Sequence, residues 1–166
     1  MAFGLVQLAK QTASSVTEVD FNNVFNATYK QYKIIFNLYA STETNLNIRF
    51  IAGGSVNSST IYNLQNYETA TSVSPSRSTS RTDWASVAWT QSSYAGIGKD
   101  FEVLNPYQTM YTTGLGGRSK EPFNQSATTN DVYAYGTNVT TSFDGVRIYG
   151  ANPFSGTITI YGYRFE

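Results

Sequence analysis

The chain has 166 residues, no cysteine, no histidine, eleven basic side chains balanced by eleven acidic ones, and 15% aromatic residues. Lacking both thiol and imidazole, it has no disulfide, no thiolate metal site, no cysteine nucleophile and no histidine base. Its length suits one core, and its neutral charge with no run of Lys or Arg lacks the electrostatic footprint of a nucleic-acid-binding surface.

The first residues, Met1 to Lys10, have no basic region ahead of their short apolar run, so they do not read as a signal peptide, and no window reaches the ~18 apolar residues of a membrane span. Residues 1–11 read instead as an attachment segment, with Phe3 and Leu5 as its apolar contacts, able to add a strand to a neighbour. Residues 12–166 read as one domain. The missing signal and missing cysteines together fit synthesis in a reducing cytoplasm.

From there period two dominates, carried by Tyr, Phe, Ile, Val and Thr, which suit a pleated, half-buried surface. Strands are expected over 16–21, 32–39 and 46–51, the last placing Leu46, Ile48 and Phe50 on one face. The second and third read as a hairpin through Ser41 to Thr44, with Gly53 and Gly54 ending it. The polar stretch 69–82, with Pro75, Arg77 and Arg81, has no apolar period and reads as an exposed loop. Further strands are expected over 61–67, 84–89, 101–104, 108–112, 132–135, 146–149 and 157–165. Turn signals at Asn105-Pro106, Asp144-Gly145, Asn152-Pro153 and Ser155-Gly156 separate them. Gly114 to Ser119 lacks the Gly-Lys-Ser/Thr ending of a phosphate cradle and reads as a flexible loop tip. No helix, repeat or heptad stands out, so the fold class is all-β: a single antiparallel β-sandwich, jelly-roll-like, and no long shaft.

The chemistry left to such a composition is a carboxylate pair. Asp100 and Glu102 lie two apart in an expected strand, so both face one side with Phe101 on the other, and their simplest reading is a solvated sheet face. Serine nucleophiles have no histidine to activate them and no Gly-x-Ser-x-Gly elbow, and no Asp-rich loop offers a calcium cage. No catalytic residue, cofactor or metal ligand is assigned, and the chain reads as not an enzyme. Its thirteen Tyr, ten Phe and two Trp are more than a small core usually takes. Trp84, Trp89 and Tyr94, among Ser, Thr and Gln, read as core residues, as subunit contacts or as a glycan platform.

Both ends of the chain carry a resemblance. The segments Leu8 to Phe21, Tyr29 to Phe36 and Leu46 to Phe50 with Gly53-Gly54, then Phe143 to Tyr149 and Ser155 to Arg164 with its Ile160-Tyr161-Gly162 triplet, resemble small virion proteins of tailed bacteriophages, cyanophages among them. Residues 55–130 carry no such likeness. The resemblance implies a jelly-roll-like sandwich used as a structural part of the virion: a head (capsid) decoration protein, or a knob associated with a tail fibre, often a homotrimer. Its implied partners are other virion proteins, whether capsid, portal or tail subunits. The alternative is a receptor-recognition module of a phage tail fibre that binds a host surface glycan through the Trp84 to Tyr94 region or the 69–82 segment. Neither reading involves nucleic acid or membrane.

Overall fold

The computed structural model describes residues 4–69, 73–90, 97–120 and 129–164. Eleven strands form: β1 (Gly4–Phe21), β2 (Gln31–Tyr39), β3 (Thr44–Ala52), β4 (Ser55–Val56), β5 (Tyr62–Thr69), β6 (Val73–Arg81), β7 (Trp84–Thr90), β8 (Ile97–Leu104), β9 (Thr113–Lys120), β10 (Thr129–Thr137) and β11 (Gly145–Arg164). Among the described residues there is no helix. Every strand pairing is antiparallel, and the hydrogen-bonded order runs β4-β3-β11-β2-β8-β9-β10-β5-β6, with β1 also on β11 and β7 also on β3. The sheet curls on itself into a jelly-roll-like sandwich, as expected for an all-β chain of this patterning.

The curl is made by two long strands that belong to both layers. The first part of β11, Gly145 to Gly150, pairs with β3, and its later part, Ser155 to Gly162, pairs with β2, while β1 follows it along both parts. Both strands break at one corner. Ser15 takes a positive φ of 53° where the register of β1 slips, and its amide donates to the Ser155 hydroxyl at 2.8 Å. Opposite it, Gly156 has φ 123°, and a Cβ there would lie 2.2 Å from the Asn37 carbonyl oxygen. Only glycine fits this corner.

The core between the layers is a cluster of rings from separate strands. Trp84 on β7 stands edge-on to Phe50 on β3 with centroids 4.7 Å apart, and lies 5.9 Å from Phe101 on β8 and 5.4 Å from Tyr135 on β10. Phe143 stacks on Phe50 at 4.8 Å. Such pairs add roughly 0.5–1.5 kcal/mol each beyond area burial. The excess of aromatic residues in the sequence is thus partly absorbed inside one core cluster.

Several expectations change. Tyr32, Ile34, Phe36 and Leu38 are buried, as are Leu46, Ile48 and Phe50, so the alternation is as read, but β2 and β3 do not form a hairpin. Each pairs with β11. Alternation decides which face a strand buries and leaves its neighbour open. Most of the 69–82 stretch, read as a loop, is strand: Val73–Arg81 form β6, paired with β5 at the margin of the sheet. An edge strand outside the core needs no apolar period, and Pro75 is tolerated there because one side of the ladder goes unused. Gly114 to Ser119 lies within β9. Residues 108–112 are not a strand, because Asn105 turns left-handed at φ 57° and short-range bonds such as Met110 N to Gln108 O, 2.8 Å, coil the segment. The expected strands 146–149 and 157–165 are one strand, with Asn152-Pro153 inside it. Asp144 makes no tight hairpin; its backbone bonds Ile51 O and Phe25 N, and its carboxylate accepts from Gly53 N at 2.9 Å.

Candidate functional site

Both tryptophans are buried. Trp84 is fully buried, and its indole N–H donates to the Gly136 carbonyl at 3.0 Å. Trp89 is 3% exposed, its N–H bonded to Glu43 Oε1 at 2.7 Å. Trp84 belongs to the ring cluster of the core, whereas Trp89 is buried outside that cluster, beside the exposed residue Glu43. Leu5 is 45% exposed on β1, while Phe3 and Tyr94 lie outside the described residues. The segment read as an attachment element is, from Gly4 onward, the first part of β1 and pairs with Arg164 to Ile158 of its own chain.

Asp100 and Glu102 do share the outer face of β8, with Phe101 buried on the other side. Lys33, in register with Glu102 on β2, forms an ion pair with Asp100 and lies 3.9 Å from Glu102. Its bond to Asp100 raises the Lys33 pKa and holds it as a cation. Gln31 donates to Glu102 Oε2 at 2.8 Å and the Tyr163 hydroxyl donates to Oε1. Burial, then that bond, pushes the Tyr163 phenol up to about 12. Both oxygens of Glu102 are engaged within the sheet, and the cation between the two acids offsets their charge. The arrangement joins β2, β8 and β11, which is a structural task.

Two other charged groups do similar work. Arg147 makes a two-pronged bond to Asp20 at 2.7 Å on each arm and an ion pair with Glu18 at 3.0 Å, fastening β1 to β11 beyond the corner. Asp83 is nearly buried, accepts from the Tyr149 hydroxyl, and pairs with Arg81 at 3.2 Å. Burial, then the bond to Asp83, pushes the Tyr149 phenol up to about 12, and the Arg49 guanidinium lies 4.8 Å over its ring. Among the described residues no group of three or more acidic, His or Cys side chains converges as a metal site would require, and no helix is long and apolar enough to cross a membrane.

The feature the sequence reading missed is the connection between β8 and β9. Within five residues it exposes Tyr107 (38%), Met110 (46%) and Tyr111 (59%). The loop is nonetheless fastened: Asn105 N bonds Lys30 O at 2.6 Å, Phe143 N bonds Pro106 O at 2.7 Å, the Ser142 hydroxyl donates to Tyr107 O at 2.6 Å, and Thr137 N bonds Thr112 O at 2.9 Å. Apolar side chains on a fixed backbone lose little entropy on contact, and Tyr and Met are enriched where proteins meet. The sequence signal was present as Tyr107 to Tyr111 after Asn105-Pro106, but strand-like composition concealed a coiled segment. No protein-family model, curated protein or solved structure matches the chain.

Proposed function

We propose that the chain is a structural subunit of a tailed-bacteriophage virion, made in the host cytoplasm and working by assembly with copies of itself and with neighbouring virion proteins. The observation that carries this reading is the fastened, exposed cluster of Tyr107, Met110 and Tyr111. Three large apolar side chains held out from a nearly neutral surface favour association, since little charge repulsion opposes it. Two outlying strands, β1 and β6, point the same way. Register slips along β1 and Pro75 on β6 blunt the edges against strand addition, which leaves loops and faces to make contacts. The resemblance of both chain ends to virion proteins supplies the setting, and the occupant of the cluster is a second copy of this chain in a threefold assembly.

The test replaces all three side chains with serine, Tyr107→Ser, Met110→Ser and Tyr111→Ser together, in the full chain. Light scattering should give a smaller particle with an unchanged circular dichroism spectrum. An assembly that persists undiminished in the triple variant would refute the assignment of the contact.

A further inference from the structure

The outer face of β10, β5 and β6 holds a second feature, separate from the loop at 105–112. Ala134 and Gly136 on β10 lie in register with Gln65 and Asn63 on β5, and Gln65 lies in register with Arg77 on β6. Strand alternation puts these residues on one side of the sheet, while the side chains of the alternating Tyr133 and Tyr135 are buried on the other. Where β5 and β6 offer long polar side chains, β10 offers a methyl group and a hydrogen. The result is a furrow of about 360 Å³ whose lining includes Asn63, Gln65, Arg77, Ala134 and Gly136, along with Leu64 and Tyr135. That volume falls within the roughly 300–1,000 Å³ of small-molecule sites.

The polar groups along the furrow are largely uncommitted. Arg77 is exposed, is the one charged side chain in the lining, and has no ion pair or hydrogen bond among the described residues. The Asn63 amide is likewise free among them, and Gln65 uses one donor, 3.4 Å from the Tyr67 hydroxyl. Tyr67, 46% exposed, stands beside Gln65 on the same face. A guanidinium matches a carboxylate through two parallel bonds. A carboxamide donates and accepts at once, as vicinal hydroxyls require, and a phenol ring offers an apolar flank with a polar tip. We propose that this furrow binds the carboxylate-bearing sugar unit of an acidic saccharide, with Arg77 on the carboxylate and Asn63 and Gln65 on ring hydroxyls. It differs from the Trp84 to Tyr94 surface expected from sequence in that neither tryptophan takes part, and it uses Arg77 of the 69–82 segment.

The experiment titrates the isotope-labelled full chain by NMR with sodium glucuronate, N-acetylneuraminate, glucose and sodium acetate. The acidic sugars should give saturable shifts of the Asn63 and Gln65 side-chain amides and the Gly136 backbone amide at millimolar ligand, with glucose about tenfold weaker. Arg77→Gln should weaken glucuronate by about tenfold. Gly136→Val should abolish binding while folding normally, because a Cβ there meets no atom within 4 Å and so projects into the furrow. Absence of saturable shifts with either acidic sugar, or unchanged affinity in Arg77→Gln, would overturn the proposal. Acetate binding as tightly as glucuronate would reduce the site to a simple anion contact and overturn the saccharide assignment. A Gly136→Val variant that keeps its sugar affinity and loses self-association would overturn it as well, marking the furrow as a protein interface.

Discussion

Gly116 and Gly136 sit on adjacent strands, and adding one methyl group to each should move stability in opposite directions. At Gly116 on β9 the new Cβ would fall 2.5 Å from Cδ2 and 3.0 Å from Cε2 of Phe101. Carbon atoms prefer about 3.5–4.0 Å, so the ring or the strand must shift by roughly 1 Å. Phe101 has little room to yield, being fully buried with Tyr135 at 5.3 Å and Trp84 at 5.9 Å between ring centroids. Overpacking of this kind costs about 1–3 kcal/mol, offset by the ~0.5–1 kcal/mol that alanine gains over glycine in a strand. The net for Gly116→Ala centres on about 1 kcal/mol of destabilisation, a fall in Tm of roughly 2–4 °C for a chain of this size. Gly136→Ala meets nothing within 4 Å and should gain up to ~0.5–1 kcal/mol. Urea denaturation followed by tryptophan fluorescence measures both, since Trp84 lies against the same rings. A Gly116→Ala protein as stable as the parent, with an unchanged slope, would refute the claim that this glycine makes room for the core.

Tyr62 is fully buried, and its hydroxyl accepts from Phe50 N at 2.9 Å and donates to Asn57 O at 2.8 Å. Tyr62→Phe strands both partners and should cost about 1–3 kcal/mol at neutral pH, read from the urea midpoint. Burial pushes the Tyr62 phenol up from 10.0 to about 12, so the folded state keeps a proton that the unfolded chain has already lost. That stability is fully present below pH 10 and is lost as pH rises toward 12, about 2–3 kcal/mol in all. The Tyr62→Phe protein should therefore lose stability less steeply over this range than the parent, and an equal slope would contradict the assignment. Asp20→Asn breaks the two-pronged bond to Arg147 and should cost about 1 kcal/mol at low salt, with the difference from the parent shrinking at about 1 M salt.

The strands whose one face is buried were legible in the sequence. Tyr32 to Leu38 and Leu46 to Phe50 alternate because one side of each meets the core, and that side is buried throughout. Their partnership was not legible. The strand between them, β11, comes about a hundred residues later, and no local signal says that two consecutive strands will be separated by the end of the chain. β6 was hidden because a marginal strand owes its place to backbone pairing, so its serines and Pro75 read as loop. β9 was hidden for the opposite reason: Gly114 and Gly116 are there because rings of Phe101 and Trp84 lie over them, and glycine alone reads as flexibility. For the tryptophans, composition could not tell a ring wanted by a partner from one wanted by the core. Rings of Phe50, Phe101 and Tyr135 around Trp84 and its bond to Gly136 decide for the core there, while Trp89 is buried outside that cluster. Tyr107, Met110 and Tyr111 were passed over because their composition resembles that of any buried strand, and only the fold turns them outward.

A native mass spectrum of the full chain at micromolar concentration bears most directly on the central claim. The account predicts a species of three 18.3 kDa chains that falls to single chains when Tyr107, Met110 and Tyr111 are replaced by serine. A parent protein that runs as a single 18.3 kDa chain under the same conditions would contradict it.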